Sequence, residues 1–141
     1  MDTAHFHPMM VHFPIALILT GFLTEVLSWF IKKEAWLPKA SLILLILGTL
    51  GAIAGYLTGE FFTNDLSGEA GKVKELHELF GKLTMGMMIL VTLVKLFLLW
   101  SKREDISLRL LVLVLYAIGA GMVAYTGFLG GTLVINYLIG L

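Results

Sequence analysis

The amino-acid sequence predicts an all-α integral membrane protein, an antiparallel four-helix bundle forming a single transmembrane domain over residues 1–141. Three observations carry this. The chain is 58% hydrophobic with a mean hydropathy of +0.92, whereas soluble domains are about 45–50% apolar. Four apolar segments each approach the roughly 20 residues a spanning helix needs. The connections between them are short, which favours sequential antiparallel packing.

The first span is expected at about residues 9–31, ending at Lys32-Lys33-Glu34. The N-terminus carries no positively charged leader, so this span is expected to be retained. The second is expected at about 40–62. Pro38 precedes it and suits a first turn, where the missing N–H has no intrahelical partner to lose. The third is expected at about 75–100. Its helix should begin earlier, near Ser67 or Gly71, because Val73, Leu76, Phe80 and Leu83 keep a helical spacing. The fourth is expected at about 107–129. A glycine-punctuated apolar tail, Gly130 to Leu141, should lie back on the bundle or in the interface.

Charge is balanced, ten basic residues against ten acidic. No net field favours nucleic acid. With no cysteine, disulfides, iron–sulfur ligation and thiol catalysis are excluded within the chain. A metal would fall to histidine, carboxylate or methionine. Lys32, Lys33 and Lys39 flank the first connection, and Lys102, Arg103 and Arg109 flank the third. The second connection mixes Lys72, Lys74 and Lys82 with Glu60, Asp65, Glu69, Glu75 and Glu78. The positive-inside bias makes the first and third connections cytoplasmic. Both termini and the second connection then face the periplasm, and the N-terminal histidines share that outer level with His77.

His5-Phe-His-Pro-Met-Met-Val-His-Phe-Pro-Ile-Ala-Leu17 holds three of the four histidines. Histidine at a membrane boundary ligates metal or haem, or carries protons. Pro8 suits the first helical position with His7 at the cap. His12 follows five residues later, a rotation of about 140° on a regular helix. His7 and His12 therefore share a direction only if the first turn is distorted, which Pro14 could cause by removing a hydrogen bond. The plainer alternative is an interfacial His12, with His5 and His7 solvated.

His77 lies in Lys74-Glu-Leu-His-Glu-Leu-Phe-Gly81, with Gly81 one turn deeper. The missing side chain leaves room for a flat ligand or for a close helix. Gly48, Gly51, Gly55 and Gly59 form one stripe on the second span. Such stripes serve helix packing in membranes. A smooth wall against a porphyrin is the other reading. Met85, Met87 and Met88 read as core filler. Glu25 lies eighteen residues past His7, and Lys95 eighteen past His77, five whole helical turns in each case. If the two histidines face each other, Glu25 and Lys95 should pair. A lone snorkelling Lys95 is the alternative.

His7-Pro-Met-Met-Val-His-Phe-Pro-Ile-Ala16, Leu76-His77 and Gly127-Phe-Leu-Gly-Gly-Thr-Leu-Val134 together resemble the motifs of domain-of-unknown-function family 2231, bacterial four-span membrane proteins. The resemblance covers nearly the whole chain. Glu60 stands where that family often has an aspartate. Members are often fused to Rieske-type or cytochrome c-like modules. The resemblance thus implies a multi-pass protein of the bacterial inner membrane doing redox work. Its expected partners are the lipid bilayer and a separate redox protein on the outer side, with a homo-oligomer also compatible.

Three functions follow, in this order. The first is a haem b electron-transfer module with His77 as one axial ligand, His7 or His12 as the other, and Gly55, Gly59 and Gly81 beside the ring. The second is a bare zinc or copper site of His7, His12 and His77 with Glu60 or Glu78. The third is a structural subunit with no cofactor. Transport ranks below these, because no pair of broken helices occupies corresponding halves.

Overall fold

The computed structural model describes residues 6–137 apart from residue 64. The described residues form four helices joined by short connections: α1 (Phe6–Phe30), α2 (Trp36–Phe62), α3 (Gly68–Trp100) and α4 (Ile106–Tyr137). All four are long and apolar enough to cross a membrane. Each packs on its chain neighbours, and α4 closes on α1. The result is an antiparallel bundle with α1 and α3 across one diagonal.

The element limits have local causes. Ser67 in extended conformation precedes α3, and Gly68 opens it at φ +69°, where glycine carries no steric penalty. After Trp100, Lys102 takes φ 52° and the Arg103 N–H closes onto Leu98 O at 3.1 Å. That left-handed cap ends α3. The fourth helix departs from expectation. It runs unbroken through Gly130-Gly131 to Tyr137, so there is no separate tail before that residue. Glycine weakens helices chiefly in water, whereas a membrane helix keeps its backbone bonds because nothing else satisfies them. Residues 138–141 of the expected tail lie outside the described residues.

Large apolar side chains cover the outside of the bundle, and several polar ones lie within it beside an apolar core. Leu23, Leu50, Leu93 and Phe128 face outward, as lipid contact requires, while Glu25, Ser41, Thr49, Thr58, Thr84 and Thr92 are buried. The apolar centre is built on Ile18, Leu45, Met88, Val91 and Tyr116.

The two helical hairpins repeat one packing scheme. In α1–α2, a Cβ on Gly48 would meet Ile18 at 2.7 Å, and one on Gly59 would meet the His7 ring at 3.1 Å. In α3–α4, a Cβ on Gly119 would meet Met88 at 2.5 Å, and one on Gly130 would meet the His77 ring at 3.1 Å. His7 with His77, Ile18 with Met88, and Glu25 with Lys95 are spaced by the same offset along the chain. Each histidine is thus seated in the backbone of the next helix at the same end of the bundle.

Candidate functional site

His7 stands in the first turn of α1 and His77 about three turns into α3, both half-buried. Their ring centres are 6.0 Å apart with planes at 78°. The absent Cβ atoms of Gly59 and Gly130 let each ring lie against a neighbouring helix.

Both imidazoles have a defined tautomer. His77 Nδ1 lies 3.0 Å from Thr126 O. A carbonyl only accepts, so Nδ1 carries the proton. His7 Nδ1 lies 3.0 Å from Thr58 Oγ1. The Thr58 hydroxyl spends its own proton on Gly55 O at 3.0 Å, so His7 Nδ1 donates to Oγ1. The lone pair is left on Nε2 in both rings. An Nδ1–H held by an oxygen is the usual outer support of a ligating histidine.

The two rings border a cavity of about 420 Å³ that opens at this end and touches all four helices. Gly81 and Gly131 line it with nothing within 4 Å of where a Cβ would stand. Gly81 therefore leaves room, as its place below His77 suggests. Lys74 lines the mouth and pairs with Glu78 at 3.0 Å and Asp65 at 3.7 Å.

The remaining expected residues fall differently. His12 is exposed, and its Nδ1 donates to Pro8 O at 2.5 Å within its own first turns. The five-residue step keeps it off the His7 face despite Pro14, whose ring seats 3.2 Å from where a Gly51 Cβ would be. Glu60 is exposed at the cavity rim. Among the described residues no three histidine or carboxylate side chains come together as a metal-holding group. The set His7, His12, His77 and Glu60 is therefore not assembled. Gly59 serves the His7 ring rather than an open wall, and Gly55 makes ordinary contact with Val11 at 3.5 Å. His5 lies outside the described residues.

Thr58, Thr126 and Gly130 carry positioning roles that the sequence pattern did not assign.

At the opposite end the expected ion pair forms. Lys95 Nζ donates to Glu25 Oε2, and both side chains are only 11% exposed. Ser41 Oγ also donates to Glu25 Oε2, at 2.5 Å.

Fold and site together define a four-helix membrane protein with a facing histidine pair at one end of the bundle. The model of the DUF2231 family, described as predicted membrane proteins, matches residues 3–141, and the chain belongs to that family. No curated protein and no solved structure matches the chain.

Proposed function

We propose that this protein binds haem b between His7 and His77 and carries electrons in the bacterial inner membrane, with both termini and the histidines on the periplasmic side. One observation supports this above the others. Two histidines on diagonal helices present Nε2 lone pairs beside a shared cavity, each with Nδ1 held by an oxygen.

The donor set favours haem over a bare ion. Haem iron takes four nitrogens from its own ring, so the protein supplies only axial ligands. A zinc held by protein alone takes four ligands, or three with water. The described residues offer two facing histidines here; His12 and Glu60 border the same cavity but form no metal-holding group with them. The two ring centres are 6.0 Å apart, and both imidazoles border the same cavity, so His7 and His77 are the residues that would hold the group.

When bound, haem supplies reversible one-electron redox chemistry. The chain's own groups do the positioning. Thr126 O and the Thr58 hydroxyl fix the imidazole planes and leave Nε2 basic. Gly81 and Gly131 keep side chains out of the cavity. A separate redox protein meets the site at the histidine end, because the apolar flanks of the bundle face lipid.

The test is optical. Protein made with ample haem and purified in detergent should show a reducible Soret band. His77→Ala and His7→Ala should each abolish it or leave a five-coordinate spectrum, and His12→Ala should leave it intact. Colourless folded protein that refuses added haem overturns the reading. Stoichiometric zinc or copper, lost on replacing His7 or His77, would assign the bare-metal alternative.

A further inference from the structure

Lys74, His77, Glu78 and Gly81 recur at helical spacing along α3, which places them on one face of that helix. All four line the cavity that the two histidine rings border. Lys74 stands one turn nearer the start of α3 than His77, at the mouth. It is the one lysine or arginine among the described lining residues. Its side chain is only 13% exposed, whereas that of Lys72, two residues earlier, is 74% exposed and pairs with Glu69 at the surface.

The Lys74 ammonium has donors to spare. It carries three N–H groups. Among the described residues its partners are Glu78 Oε1 at 3.0 Å and Asp65 at 3.7 Å, and the second is too far for a hydrogen bond. Both carboxylates are more open to solvent than the lysine, Asp65 fully so. An ammonium withdrawn from water with donors unmet is costly, and an anionic acceptor inside the cavity would relieve that cost. Glu60 and Glu78 line the same cavity, so without Lys74 the mouth would repel an acidic ligand.

We propose that Lys74 receives a propionate carboxylate of the haem, so that the cavity selects an apolar ring with an acidic edge. This assignment rests on the haem reading and adds to it the residue that recognises the ring's carboxylates. Haem b carries two carboxylates on an otherwise apolar macrocycle. The cavity has the matching division: its walls include Val11, Ile15, Ala52 and Val123, and its one ammonium stands at the mouth. A hydrogen bond between two charged groups is roughly twice as strong as one between neutral groups. Lys74 thus sets which edge of the ring faces the mouth, while His7 and His77 hold the iron.

Titration of the detergent-purified apoprotein with haem and with haem dimethyl ester, followed in the Soret region, tests this. The ester keeps the iron and the ring and carries no carboxylate charge. Wild type should bind haem roughly 10-fold or more tighter than the ester, the worth of one hydrogen bond to a charged group. Lys74→Met should abolish that preference by weakening haem alone, and Lys74→Arg should keep most of it. Lys72→Met should match wild type. If Lys74→Met does not fold, Lys74→Gln takes its place, losing the charge while keeping a donor, and should show the same loss of preference. Equal affinity of wild type for haem and ester overturns the Lys74 assignment and leaves ligation by the histidines standing. Equal weakening of both ligands in the Lys74 variant overturns it as well, because a merely structural lysine would act that way. Uptake of neither ligand by wild type overturns the haem reading itself, and this assignment with it.

Discussion

Lys95 stands to His77 as Glu25 stands to His7: five helical turns along the same helix face, with each pair meeting across the α1–α3 diagonal. The bundle therefore carries one polar pair near each end, and the apolar layer of Ile18, Leu45, Met88 and Tyr116 lies between them. Five turns of helix span about 27 Å, close to the roughly 30 Å hydrocarbon thickness of a bilayer. The equal spacing thus sets both pairs near the two membrane boundaries.

Breaking the charged pair should be expensive, and removing both charges less so. Glu25→Gln or Lys95→Met alone leaves one charge stranded, which for a buried pair costs about 3–5 kcal/mol. The double replacement should lose clearly less than the sum of the two. Thermal unfolding in detergent checks this. Additive losses would mean that the side chains do not interact.

The glycine seats make a steric prediction. A Cβ on Gly130 would stand 3.1 Å from the His77 ring, and one on Gly59 3.1 Å from the His7 ring. Gly130→Val should lower stability by roughly 1–3 kcal/mol through overpacking and push the imidazole out of position. Gly121→Ala serves as the control, because nothing lies within 4 Å of its Cβ position. Thermal midpoints and ligand uptake should fall for the first and hold for the second. Equal behaviour of the two would show that the rings have freedom to move away.

Much of this arrangement was legible before the structure. Each helix announced itself by an apolar run near membrane length. The pairing of Glu25 with Lys95 followed from equal spacing, because helical periodicity is rigid over five turns. His12 could be doubted for the same reason, since a five-residue step turns it away from His7. The end of α4 was not legible. Gly130-Gly131 reads as a breaker by propensities measured in water, and the missing Cβ of Gly130 is instead used by His77. Thr58 and Thr126 were hidden for another reason. A threonine on a membrane helix face looks alike whether it packs or holds a ring. Which one it does depends on the rotation of one helix against its neighbour, and no local pattern encodes that.

The orientation is testable through the ends of the bundle. Trp29, Trp36 and Trp100 lie at the end that carries Lys32, Lys33, Lys39, Lys102, Arg103 and Arg109, and the Arg109 guanidinium sits 5.1 Å over the Trp29 ring. Tryptophan marks either membrane interface, and it is the clustered basic residues that make this end the one expected to be cytoplasmic. A C-terminal reporter active only in the periplasm should therefore work, and one active only in the cytoplasm should fail. The reverse result would put the histidines on the cytoplasmic side and exclude a periplasmic electron partner.

The final prediction concerns the support of His7. Its tautomer depends on a relay in which Thr58 gives its proton to Gly55 O and so has only lone pairs to offer Nδ1. Thr58→Val keeps the shape and removes the acceptor. The Nδ1–H then loses its partner, the ring is free to turn, and the proton can move to Nε2, where it blocks ligation. Loss of such an outer support typically weakens metal affinity by roughly 10–100-fold, so haem titration of Thr58→Val should show a weakening of that order. Thr58→Ser retains the hydroxyl and should restore most of the affinity. Nitrogen-15 shifts of the His7 ring give a readout that simple destabilisation would not move: protonation at Nδ1 in the wild-type apoprotein, and a mixture of tautomers in Thr58→Val. If the valine variant binds like wild type with its tautomer unchanged, the relay does not govern His7, and ring position alone must account for ligand capture.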